Sequence, residues 1–218
     1  CILWRKQTNA PNKFMGSGML PPRAYVTLEH EYILIFRKPG NRDFSAPAVK
    51  SLRRESGYFW EERNLWFSDG WSFTGARQAL ANGGSRDRSG AFPFLLPYRL
   101  ICMFSIKGDT VLDPFAGTLT TGLAALCGCR NSVSVEIDGP LAETSLEAMP
   151  MMPDTLNGII SDRIEAHANF IADYEKVKKP CKYRNRHYRF PVVTSQEVEI
   201  FFNPITAIVR RGWSAVAD

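Results

Sequence analysis

The 218-residue chain is 44% hydrophobic and 22% charged, with a formal charge of +5 and a pI near 9.0. That balance excludes a disordered polyelectrolyte and leaves enough apolar residues for one α/β domain with insertions. No apolar run approaches the ~18 residues that cross a bilayer, and the modest positive excess suits a polyanionic partner.

The chain opens with an apolar, strand-like run, residues 1–6 (CILWRK), which does not read as a signal peptide. Because the first residue is Cys1 rather than Met, the reading frame is expected to start upstream. Residues 7–22 carry Asn, Gly, Ser and three prolines, which is loop chemistry. A second strand is predicted over 32–36, rich in β-forming side chains. Residues 39–87 lose this periodicity; Phe59, Trp60, Trp66, Trp71 and Phe73 alternate there with Gly, Ser and Arg. Aromatics argue against disorder. Arginine mixed with aromatics suits contact with phosphates and bases, whereas the plain reading gives most of the tryptophans to a small core. Residues 89–104 begin with a proline turn and continue as a core helix, with Leu95, Leu96, Leu100, Ile101 and Phe104 along one stripe.

The most informative stretch is 110–122, TVLDPFAGTLTTG. Thr110 to Leu112 read as a short buried strand, which Asp113 and Pro114 end. Gly117 permits a tight turn with open backbone, Thr118, Thr120 and Thr121 offer capping hydroxyls, and an apolar helix follows over 119–126. Strand, glycine turn and helix N-terminus together form a cradle for a nucleotide-like cofactor. The next strand, 132–138, ends in Glu136 and Asp138, and an acid at such a tip can accept hydrogen bonds from ribose hydroxyls. A helix over 141–149, a polar amphipathic helix over 157–174, a basic run over 176–189 and a strand containing VEIFF complete the chain. The basic run reads as solvated surface that can also touch phosphates. Five cysteines in irregular spacing predict reduced thiols in a cytoplasmic protein, and scattered histidines predict no metal centre.

DPFAG followed by a Thr pair and then VEID resembles the S-adenosyl-L-methionine site of the amino-DNA methyltransferases, which methylate N6 of adenine or N4 of cytosine. The phrases ILWRK and EYILIFRK resemble the same family's strand pair, in the order that places the target-recognition segment before the cofactor motif. The resemblance implies a Rossmann-like α/β fold with a mostly parallel central sheet and helices on both faces. It divides the chain into catalytic-half strands (1–38), a target-recognition insertion (39–88), a cofactor-binding half (89–150) and a C-terminal part (151–218). By the same resemblance Asp113, Phe115, Ala116 and Gly117 hold the methionine part, with Pro114 in the same stretch. Thr118, Thr120 and Thr121 close the turn, Phe92 and Pro93 wrap the methionine end, Glu136 holds the ribose, and Ile137 and Asp138 flank the adenine. Arg53, Arg54, Arg63, Arg77, Arg86 and Arg88 would contact double-stranded DNA.

Two departures stand out. Leu119 occupies the place of a second glycine in the family pattern DPFxGSGTT. No [DNS]PP[YFW] loop, which binds the exocyclic amine of the flipped base, occurs in these residues, and Asn203-Pro204-Ile205 lacks the second proline and the aromatic. The sequence therefore supports an enzyme whose catalytic loop lies upstream or on another chain, either a second methyltransferase chain or a second copy in a homodimer. The alternative is a degenerate subunit that binds cofactor or DNA without catalysis. A small-molecule or RNA methyltransferase fits the motif order less well.

Overall fold

The computed structural model describes residues 1–7, 29–74, 92–211 and 214–217. The chain divides into two compact units, Cys1–Gly40 with Trp66–Pro93, and Asn41–Leu65 with Phe94–Asp218.

In the first unit β1 (Ile2–Gln7) is the central strand of three. It pairs antiparallel with β2 (His30–Ile33) and parallel with β3 (Gly70–Thr74). The expected strand at 32–36 thus lies earlier, and residues 34–36 leave the ladder. Ile2, Trp4 and Trp71 are buried here, and Trp4 Nε1 donates to the Phe73 carbonyl. Trp71 Nε1 donates to the Trp66 carbonyl. Among the tryptophans, Trp66 and Trp71 are core residues while Trp60 is partly exposed, so the plain reading of this segment holds for the former.

The aperiodic stretch after residue 39 contains two helices, α1 (Pro47–Glu55) and α2 (Trp60–Trp66). Pro47 at the first helical position ends the preceding loop and starts α1 without losing a bond. α1 buries none of its residues although Ala48, Val49 and Leu52 share one face.

In the second unit α3 (Leu95–Phe104) buries Pro97, Tyr98, Ile101 and Cys102. β4 (Thr110–Asp113), α4 (Thr120–Cys127) and β5 (Asn131–Ser134) form a parallel βαβ crossover. Gly122 lies on the side of α4 that faces β5: a Cβ there would touch Ser132 Oγ and Ser134 Oγ, each at 3.4 Å. The face carrying Leu112, Val133 and Val135 is exposed. α5 (Gly139–Ala148) follows, and α6 (Pro153–Val177) runs longer at both ends than its apolar period suggested. Two short antiparallel pairs complete the unit: β6 (Tyr183–Arg184) with β7 (Pro191–Val192), and β8 (Ile208–Arg211) with β9 (Ser214–Ala217). The VEIFF stretch is not a strand. Thr194 and Glu197 form a reciprocal capping box, and Ile200 turns into a cluster with Phe59 and Val192.

Three polar assemblies hold this unit together. Arg163 of α6 is bidentate to Glu62 of α2 at 2.6 and 2.7 Å, donates to Tyr98 Oη at 2.8 Å, and lies over the Phe202 ring. Burial works against its charge, but Glu62 outweighs it and holds the guanidinium pKa well above its usual value. Arg130 donates to Ser105 Oγ, to the Ser105 carbonyl and to the Gly128 carbonyl. Those carbonyls belong to the C-caps of α3 and α4, so one cation serves two negative helix ends. His167 Nε2 faces the Pro191 carbonyl at 3.0 Å and Nδ1 faces Glu61 Oε1 at 2.8 Å, with Phe59 stacked on the ring. A carbonyl only accepts, so Nε2 carries a proton, and the carboxylate favours a second proton on Nδ1. Burial opposes the charged ring, but Glu61 raises the pKa overall. Glu61, His167 and Glu197 lie close enough to suggest a metal site. Both ring nitrogens and both Glu197 oxygens already hold protein partners, so the cluster reads as a hydrogen-bond hub.

Candidate cofactor site

The site grows from the ends of β4 and β5. Asp113 Oδ1 accepts the Phe115 N–H at 3.0 Å, turning the chain directly after the strand. The Ala116 N–H donates to the Val135 carbonyl at 2.9 Å, tying the turn to the neighbouring strand end. Gly117 has φ 53°, the left-handed conformation its lack of a Cβ allows. Its N–H donates to Glu136 Oε2 at 2.7 Å, and the Asp138 N–H donates to Glu136 Oε1 at 3.0 Å. One carboxylate therefore clamps the turn after β4 to the tip of β5.

Around this clamp the expected residues divide. Gly117, Glu136 and Asp138 are linked through hydrogen bonds, Asp113 turns the chain through the Phe115 N–H, and Ala116 is buried. Pro114 and Phe115 are exposed, Phe115 by 87%, and Ile137 is fully exposed. Two large apolar side chains thus stand in solvent beside a polar clamp. Asp138 also has a local duty: its Oδ1 accepts the Leu141 N–H and caps α5. The threonines do not cap α4 as expected. The N-cap is Leu119, which has no side-chain acceptor, while Thr118 and Thr120 pair with each other at 3.4 Å and Thr121 is half-buried. Phe92 and Pro93 are half-buried residues at the end of the first unit.

Leu119 explains how the chain manages without the second glycine. It adopts φ 61°, ψ 24° and is buried. The turn keeps the left-handed step that glycine takes freely, and Leu holds it at a cost of about 1–2 kcal/mol. Its buried side chain offsets that cost. The departure from DPFxGSGTT is the only sequence signal for this strained position.

Among the arginines expected at DNA, Arg53 and Arg54 are exposed in the last turn of α1, with Arg53 over the Phe44 ring. Arg63 is exposed on α2 over Trp60. Arg77, Arg86 and Arg88 lie outside the described residues.

The family model for DNA methylases that modify N6 or N4 amino groups matches residues 1–147. The chain belongs to this amino-DNA methyltransferase family. Two archaeal members are similar to it. The type II methyltransferase M.MthZI of Methanothermobacter thermautotrophicus is 52% identical over 200 residues, covering 91% of this chain and 55% of the relative. M.MjaI of Methanocaldococcus jannaschii is 53% identical over 140 residues, covering 64% of this chain and 45% of the relative. The chain thus spans about half the length of these curated relatives. Among solved structures it is similar to TTHA0409 of Thermus thermophilus, proposed to be a DNA modification methylase and solved with S-adenosyl-L-methionine. That match is 33% identical with a TM-score of 0.51, covering 67% of this chain and 50% of the other. The α/β class expected from the motifs is that of this family.

Proposed function

We propose that this chain is the cofactor-holding part of a methyltransferase that modifies an exocyclic amine, N6 of adenine or N4 of cytosine, in double-stranded DNA. The observation that carries the reading is the Glu136 clamp, which sets an acid and a glycine turn side by side at the ends of two parallel strands. S-adenosyl-L-methionine, when bound, supplies an activated methyl group on a sulfonium. The residues fit that molecule. Glu136 would present its carboxylate to the ribose hydroxyls from the strand tip. Ile137 and Phe115 offer exposed apolar surface for a flat base and a thioether-like chain. Asp113 sits where its carboxylate can meet an ammonium, and Asp138 supports Glu136 through its N–H while capping α5.

The amine-binding loop of the family belongs, in this reading, to a segment upstream of residue 1 or to another chain. The protein's share of the work is orientation and exclusion of water, since the donor carries the reactivity. Leu119 and the lack of [DNS]PP[YFW] in these residues favour one rival, a subunit that binds cofactor or DNA without catalysis. Calorimetry with S-adenosyl-L-methionine tests the site: Asp113→Ala and Glu136→Ala should each weaken binding, and unchanged binding in both rejects it. Methyl incorporation into duplex DNA, with and without a supplied chain bearing the loop, separates enzyme from rival.

A further inference from the structure

Seven cations and no carboxylate lie between residues 176 and 189: Lys176, Lys178, Lys179, Lys182, Arg184, Arg186 and Arg189. All seven are exposed. Soluble surfaces usually intersperse the two signs, so a single-sign run on ordered backbone is worth explaining. Lys176 pairs with Asp173 and Arg186 with Glu199, and among the described residues no ion pair forms at the other five.

The backbone beneath is built with unusual thoroughness for a surface turn. Asn185 is 1% exposed. Its Nδ2 donates to the Glu197 and Ile200 carbonyls at 3.0 and 2.9 Å. Its Oδ1 accepts the His187 and Tyr188 N–H groups, both at 2.9 Å. That uses two donors and two acceptor positions, the full capacity of an amide side chain. The Arg186 N–H donates to the Val198 carbonyl, and the Phe202 N–H donates to Tyr188 Oη. Tyr188 stacks on Phe190 at 5.3 Å between ring centroids. The β6–β7 turn is therefore pinned from below at nearly every residue while its cations stay exposed, Arg184 also donating through Nη1 to the Arg189 carbonyl at 3.1 Å. Lys182 lies just before β6 and Arg184 within it, on either side of Tyr183.

We propose that residues 176–189 form a sequence-independent contact surface for the phosphate backbone of duplex DNA, with Lys182, Arg184 and Arg186 at its centre. The surface lies beyond the stretch matched by the family model, residues 1–147. The choice of DNA rests on the proposed function; the rigid, basic turn stands independently of it. A pinned backbone loses little freedom on binding, and each phosphate neutralised releases counterions.

The test is fluorescence anisotropy of two unrelated labelled duplexes against salt, for the wild-type chain and for Lys182→Gln/Arg184→Gln/Arg186→Gln. The slope of log affinity against log salt should fall by about 0.9 for each phosphate the variant no longer neutralises, equally for both duplexes. Asn185→Ser, which keeps every cation, should also weaken binding. S-adenosyl-L-methionine binding by calorimetry should be unchanged in the triple variant, whose substitutions are all exposed. An unchanged slope in that variant, with a wild type that does bind duplex, overturns the surface and leaves the methyltransferase reading standing. A wild type that binds cofactor but no duplex at low salt also overturns it. Failure of the wild type to bind cofactor counts against the proposed function instead.

Discussion

Glu136 is the sharpest place to perturb this protein. Its two oxygens accept from Gly117 and Asp138 at 2.7 and 3.0 Å, bonds of a charged acceptor to backbone N–H groups. Such bonds contribute about 1.5–3 kcal/mol each. Glu136→Gln keeps the size but can accept on one atom only, so its amide nitrogen must face one of two N–H donors. One backbone donor then goes unmatched, at about 1–3 kcal/mol; half-exposure of the residue places the effect at the low end. The clamp loosens and the acceptor for the ribose loses its charge. Removing one such hydrogen bond corresponds to about 1.5–3 kcal/mol, or ~10–140-fold in S-adenosyl-L-methionine affinity. Glu136→Ala removes both roles and should weaken binding further than Gln. Calorimetry measures the affinity, and thermal melting without cofactor reports the clamp separately. If Glu136→Gln binds within about twofold of wild type while its melting temperature falls, the carboxylate is only a structural tie and the cofactor reading of this residue is wrong.

Leu119→Gly should destabilise the fold less than Leu119→Ala by denaturant titration, reversing the usual order, because alanine loses the buried side chain yet keeps the left-handed strain; a milder alanine refutes the account. Arg163→Ala should cost about 3–5 kcal/mol by stranding Glu62, whose side chain is 11% exposed. Arg163→Met/Glu62→Met should recover part of this and not all, since Glu62 Oε2 also accepts the Phe59 N–H at the start of α2; equal destabilisation in single and double variants would contradict it. His167 has a folded pKa raised above its unfolded value, so its contribution is fully present below about pH 6.5 and fades as pH rises through the folded value. Unfolding free energy measured upward from about pH 6 should therefore fall more in wild type than in His167→Gln, and parallel pH profiles would show that the ring is uncharged.

The parts of the fold legible in the sequence were those encoded locally. The βαβ unit at 110–134 could be read because a strand, a glycine turn and an apolar helix each announce themselves within a few residues. The helices of residues 47–66 were not read from the sequence: α1 is only nine residues long, and the apolar stripe of Ala48, Val49 and Leu52 sits among Lys, Arg and Ser and is not buried. VEIFF has a strand's composition, but Glu197 turns inward to cap its own turn and accept the Trp60 N–H, and the backbone follows that bond. The threonines after Gly117 looked like caps, but the N-cap position falls on Leu119 and Thr120 and Thr121 already lie inside the first helical turn.

Residue order alone settled the family, the position of the glycine turn and the acid that answers it nineteen residues later. Those depend on chain-local geometry, where a missing Cβ or a proline ring acts on its immediate neighbours. Tertiary structure decided that Glu136 bridges two strand ends, that Arg163 finds a partner 101 residues away, and that Asn185 pins a basic turn from below. Partners so distant in the chain leave no periodic trace in it. They are selected by burial, which makes an unmatched charge or amide too costly to leave alone.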